Sequence, residues 1–169
     1  MSGTTTSSRI DVLSIALGRT VSWLTLAMVL MTFVIVVLRY AFDMGVIWLQ
    51  ESVTWMHAAV FMLGAAYTLQ REEHVRVDVF YRDMTARRRA LVNAVGVIIF
   101  IFPVCGFLLF ESWGYVSASW SDQEISRNAG GLPYPFIPLL KSTLLLMPLT
   151  VALQGISMLL RAASELRRP

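Results

Sequence analysis

Apolar and polar positions in this chain separate into long blocks instead of alternating. Val21–Leu38 runs eighteen residues without a charge, and three further stretches of similar character follow it. In hydrocarbon every backbone amide must be paired within the protein, which a helix does alone. About 20 apolar residues cross a hydrocarbon layer of ~30 Å. The pattern predicts an all-α integral membrane protein of four transmembrane helices, at about 12–42, 46–70, 86–113 and 136–163. They form a single membrane domain over 1–169 with no extramembrane domain. Asp43–Met44–Gly45 supplies the first turn and Arg71–Arg89 a basic loop, with Thr85 placed to cap the third helix. The run from Val12 to Leu38, broken only at Arg19, is too long for the roughly 7–15-residue core of a cleavable signal and is expected to stay as a helix. No internal repeat of the kind that builds many transporters is visible.

Composition sharpens this reading. Hydrophobic residues make up 56% of the 169 and charged residues 15%, with a mean hydropathy of +0.64. The net charge of +3 is carried by Arg at helix ends, since thirteen of the fourteen basic residues are Arg. That placement argues topology and no nucleic acid. Eleven basic residues fall with the two termini and the 71–89 loop, against Arg39, Arg127 and Lys141 on the other side, so both termini are expected in the cytoplasm. Cys105 is alone beside Pro103, which excludes disulfide, iron–sulfur and Cys-rich metal chemistry. His57 and His74 are the only histidines, one in an apolar run and one in the basic loop, so a bis-His haem is poorly supplied. No cofactor and no catalytic chemistry is expected.

Small residues mark a packing face on the second helix. Ser52, Ala59 and Ala66 recur every seven positions, and small side chains let backbones approach where no hydrophobic force drives association. Such a stripe fits packing within this chain or against another protein. Pro103 and Pro148 each delete a donor inside a span and are expected to bend it.

A charge at mid-membrane costs on the order of 2.5–3.5 kcal/mol on insertion scales, so each one requires an account. Arg39 lies five residues before Met44 and Glu51 seven after it. In an antiparallel hairpin their depths differ by only about 3 Å, and they are expected to pair. Glu111 and Lys141 fall near the same outer level, so the four charges could neutralise one another within the membrane. Snorkelling of all four to the headgroups is the plain alternative. Trp48, Trp55, Trp113, Tyr115 and Trp120 gather toward the same side, as interfacial anchors do. Ser112–Pro135, with Asp122, Glu124 and Arg127, fits either a docking surface for an external protein or a solvated loop.

The loop sequence His74–Val75–Arg76–Val77–Asp78–Val79–Phe80 alternates polar and apolar, which puts His74, Arg76 and Asp78 on one side of an extended segment. It reads as a membrane-hugging connector or a contact strip for a partner. One His and one Asp are too few ligands for a metal.

At this point the chain resembles the small membrane subunit, DctQ type, of tripartite ATP-independent periplasmic (TRAP) transporters. The residues that carry the resemblance are Leu38-Arg39-Tyr40-Ala41-Phe42, Trp48-Leu49-Gln50-Glu51, Leu63-Gly64-Ala65-Ala66-Tyr67-Thr68-Leu69 and the 74–81 loop. Gly130-Gly131-Leu132-Pro133, Leu140-Lys141 and Leu153-Gln154-Gly155 support it. The order and spacing of these pieces cover nearly the whole chain. The resemblance implies an accessory scaffold in the lipid bilayer of a bacterial inner membrane. Its partners would be a large permease subunit (DctM type), which carries substrate and sodium sites, and a periplasmic substrate-binding protein (DctP type). The imported solute would be a small organic acid. A competing reading is a self-sufficient four-helix exporter with Glu51 as its ion-coupling carboxylate. A third is a haem subunit using His57 and His74.

Overall fold

In a computed structural model, which describes residues 2–71 and 84–167, every regular element is a helix. Helix α1 spans Ser2–Phe42, α2 Ile47–Gln70, α3 Ala86–Ser121 and α4 Phe136–Leu166. Each is long and apolar enough to cross a membrane. The architecture is the expected four-helix one, while the helices run past the apolar runs. Helix α3 ends eight residues beyond 113, and α1 begins ten residues before Val12. Hydropathy marks where lipid contact ends, whereas backbone pairing continues through the polar and aromatic residues beyond it.

Local chemistry sets the ends. Asp43 closes α1 in the left-handed region (φ 53°), which a short polar side chain tolerates, and the Met44 N–H returns to the Leu38 carbonyl at 2.9 Å. Thr85 caps α3 as expected, its hydroxyl accepting from the Arg88 N–H. Within α3, Val97–Ile101 forms one wide turn in which the Phe102 N–H reaches back to the Val97 carbonyl. Pro103 follows directly, so the helix absorbs the missing donor by a local change of pairing. Pro148 lies inside α4 and is fully buried.

Packing is unequal. Helix α4 touches all three others, α1 and α2 form an antiparallel hairpin against it, and α3 packs mainly on α4. The most apolar window of α4 is 28% buried, against 6% for α1. Large side chains such as Trp23, Phe33 and Phe110 point outward, the reverse of a water-soluble domain and the arrangement lipid permits. The α1–α2 contact depends on Gly18, where a Cβ would sit 2.3 Å from the Tyr67 ring. The α3–α4 contact depends on Gly155, where a Cβ would meet Phe102 and Val97 at 3.2 Å. Two short elements of the resemblance, around Tyr67 and Gly155, are therefore points of close helix approach.

Candidate functional site: polar clusters at the two ends of the helices

Polar side chains gather at the two ends of the molecule. The hairpin end carries the α1–α2 turn and the α3–α4 connection; the terminal end carries both chain termini. At the hairpin end, the chain after α3 folds back on itself. The Ser126 N–H donates to the Leu132 carbonyl (3.1 Å) and the Gly131 N–H to the Asn128 carbonyl (3.0 Å). Glu51, the fifth residue of α2, enters this loop. Its Oε1 accepts from the Ser126 hydroxyl and from Asn128 Nδ2 (2.8 Å), and its Oε2 from the Leu132 N–H (2.7 Å). Gly131 makes room: a Cβ there would stand 2.3 Å from Ser126 Oγ and 2.7 Å from Glu51 Oε2. Gly130 has φ +75°, a conformation that favours glycine.

A second anchor lies beside it. Lys141 on α4 is ion-paired with Glu124, which also accepts from the Ser119 hydroxyl at 2.6 Å. The ammonium sits 3.9 Å from the centre of the Tyr115 ring. Trp120 Nε1 donates to Ser142 Oγ (3.0 Å), and its ring meets Tyr134 edge to face. The Lys141 ammonium, and then the Ser119 hydroxyl, hold the Glu124 carboxyl below its ordinary range.

This placement corrects the expected pairing of Arg39, Glu51, Glu111 and Lys141. Arg39 and Glu111 are exposed, on α1 and α3. Glu51 finds neutral donors of the connecting loop, and Lys141 finds Glu124. Matched depth was the basis of the expectation, but depth does not fix direction around a helix axis. Glu51 faces the segment that leads into α4 and not α1.

At the terminal end the Asp11 carboxylate accepts from Gln154 Nε2 (3.1 Å), Ser157 Oγ (2.9 Å) and Arg161 Nη2 (2.5 Å). The Ser14 hydroxyl donates to Gln154 Oε1 at 2.9 Å. Gln154 and Ser157 are fully buried, so this network ties α1 to α4 where an unpaired amide would be costly. Sequence reasoning assigned no role to Asp11, Ser14 or Ser157 and counted Arg161 only toward topology. A signal was present: Gln154, Ser157 and Arg161 are three and four positions apart, one face of a helix.

In the stripe on α2, Ala59 and Ala66 are 1% exposed within the chain, and Ser52 is half-buried with its hydroxyl on the Trp48 carbonyl. Ala59 lines an apolar groove against α1 with Leu17, Val21 and Leu63. His57 is exposed. The strip of His74, Arg76 and Asp78 lies outside the described residues. No group of His, Cys, Asp and Glu among the described residues is arranged to hold a metal.

The carboxylates of Glu51 and Asp11 are thus spent on bonds within the chain. What the arrangement does chemically is fix helices and a loop.

A family model described as tripartite ATP-independent periplasmic transporters, DctQ component, matches residues 28–165. The C4-dicarboxylate TRAP transporter small permease protein DctQ of Vibrio cholerae serotype O1 (strain ATCC 39315 / El Tor Inaba N16961) is 36% identical over 90 residues. That alignment covers 53% of this chain and 38% of the relative's length. No solved structure matches the chain.

Proposed function

The chain belongs to the DctQ component family of tripartite ATP-independent periplasmic transporters, a family of multi-pass inner-membrane proteins, and from that premise we propose that it is the scaffold subunit of a sodium-coupled importer of a small organic acid. In this reading it holds neither solute nor ion. A large permease packs against it in the lipid and moves the solute, and a periplasmic binding protein delivers it. The name of the Vibrio relative makes C4-dicarboxylates the first solutes to test.

The observation that carries the proposal is the saturation of the Glu51 and Asp11 carboxylates. A transporter working alone needs polar ligands facing a path between its helices. Here the Glu51 carboxylate has three donors and the Asp11 carboxylate three more, all from this chain. The groove between α1 and α2 is apolar. The same saturation weighs against an exporter built on Glu51, since ion coupling needs a carboxylate free to exchange partners. Exposed His57 gives the haem reading no support.

Both termini and the 71–89 loop are assigned to the cytoplasm by the excess of Arg there. The strip of His74, Arg76 and Asp78 is assigned to contact with the large subunit.

Proteoliposome uptake tests the proposal. Expected are no uptake by this chain alone and uptake when it is reconstituted with the large permease and binding protein. Solute transport by this chain alone would overturn it.

A further inference from the structure

The charges that bound each helix do not lie at common levels. Arg19 and Arg39 on α1, Glu51 on α2 and Arg71 just after it, and Lys141 and Arg161 on α4 are each 20 positions apart, and Arg89 and Glu111 on α3 are 22 apart, with no charge between the members of any pair. At 1.5 Å per residue each interval is about 30–33 Å, the thickness of a hydrocarbon layer. Each helix therefore carries its own marks for the two headgroup levels.

The contacts between helices show how those marks are offset. Ser14, five positions beyond Arg19, bonds Gln154, which lies seven positions inside Arg161. The α1 boundary is thereby twelve positions, about 18 Å, nearer the hairpin end than the α4 boundary. At the other end Trp55 Nε1 donates to the Phe136 carbonyl at 3.2 Å. Glu51 lies four positions above that contact and Lys141 five below it, which offsets α2 from α4 by about 14 Å in the same direction. Helix α3 extends the trend. Val97 and Phe102 pack at Gly155, which sets Arg89 two to seven positions, about 3–10 Å, nearer the terminal end than Arg161. The order of displacement, α1 and α2, then α4, then α3, is also the order of the helices across the molecule.

We propose that this chain sits obliquely in the bilayer, its helices leaning so that one slanted apolar belt, bounded by Arg19, Arg71, Arg161 and Arg89 on one side and by Arg39, Glu51, Lys141 and Glu111 on the other, lies level in the hydrocarbon. Upright, the molecule would carry exposed Glu111 or exposed Arg19 deep into lipid. Neighbouring helices pack 8–10 Å apart, so α3 stands about 16–20 Å from the α1–α2 hairpin. A tilt of about 40°, the upper end of the usual range, takes up about 13–17 Å of the offset. The flexible stems of Arg and Lys reach the headgroups across the remainder. At that tilt the 20–22-position intervals between the charges rise about 23–25 Å, and the side-chain stems carry the charged groups outward to the headgroups.

Depth measurements decide the matter. The full chain, with buried Cys105→Ser as background, is put in phospholipid nanodiscs with a nitroxide at one of four exposed sites: Leu13→Cys, Leu30→Cys, Phe100→Cys or Ser117→Cys. Leu13 and Phe100 share one level of the helix stack, as do Leu30 and Ser117. The oblique seat predicts that labels at Leu30 and Phe100 are deep and oxygen-accessible, while those at Leu13 and Ser117 are shallow and reached by a water-soluble nickel chelate. The separation within each same-level pair is expected to be about 10–13 Å. Labels at Val12→Cys and Ile99→Cys replace any variant that does not insert. Equal depth within either pair, or any other ordering, overturns the proposal.

Discussion

Glu51 serves three donors with two oxygens, and a glutamine can offer only one acceptor. Either the Leu132 N–H or the Ser126 and Asn128 pair loses its partner in Glu51→Gln. The expected cost is about 1 kcal/mol, at the low end for a lost acceptor because water reaches this half-exposed cluster, read as a lower melting temperature in detergent. Gly131→Ala is expected to cost more, about 1–3 kcal/mol, since its methyl would overlap Ser126 Oγ and Glu51 Oε2. Gly64→Ala is the control: nothing lies within 4 Å of its Cβ position, and alanine in mid-helix is neutral or stabilising. Glu124 adds a pH dependence. Its carboxyl is held below the ordinary 4.5 by Lys141 and Ser119, so its stabilisation is present above that value and is lost as pH falls through the lowered one. The gap in melting temperature between the chain and Glu124→Gln is expected to stay constant from about pH 8 to 5 and to close below 4.5. Glu51 and Lys141 stood out in the sequence as charges in apolar runs. Their partners did not, because Ser126, Asn128 and Glu124 lie in a polar loop whose folding no periodicity announces.

The position and cap of α3 were legible, because Thr85 precedes an apolar run and Pro103 forbids ordinary pairing at Ile99. Its end was not. Gly114–Ser121 is too polar to count as a span, yet its helix is held by Val116 and Ser119 buried toward the rest of the chain and by Tyr115 under Lys141. The role of Gly155 was also hidden, since a glycine in a membrane helix looks alike whether it faces lipid or a neighbour. Gly155→Leu is expected to drive α3 from α4 and lower the melting temperature by several degrees, with Gly155→Ala intermediate because a Cβ already meets Phe102 and Val97 at 3.2 Å. In the 71–89 loop, replacing Arg76 and Asp78 with alanine is expected to reduce the yield of complex copurified with the large permease and leave solute affinity unchanged. Unaltered yield with altered substrate preference would contradict the role given to that strip.

The molecule as a whole is an antiparallel hairpin and an outlying helix joined through α4. A closed bundle would hide its faces from partners. This open arrangement leaves broad apolar flanks on α1 and α3, and the scaffold reading assigns one of them to the large permease. Reporter fusions test the topology: a fluorescent protein that folds only in the cytoplasm is expected to be bright at the C-terminus, and alkaline phosphatase inserted after Arg127 to be active. The reverse result would place the Arg-rich side outside.

By itself, the sequence determined the solvent, the number of helices, the cap of α3 and the family. These follow from hydropathy, local backbone chemistry and short ordered motifs, all properties of neighbours along the chain. The tertiary structure alone decided that Glu51 holds the 126–132 loop, that Asp11 is tied to Gln154 and Arg161, and that α4 is the common partner. Those outcomes depend on the direction each helix face takes and on contacts between residues 75 to 150 positions apart. Position along a chain fixes the depth of a side chain in lipid, and only packing fixes which way it points.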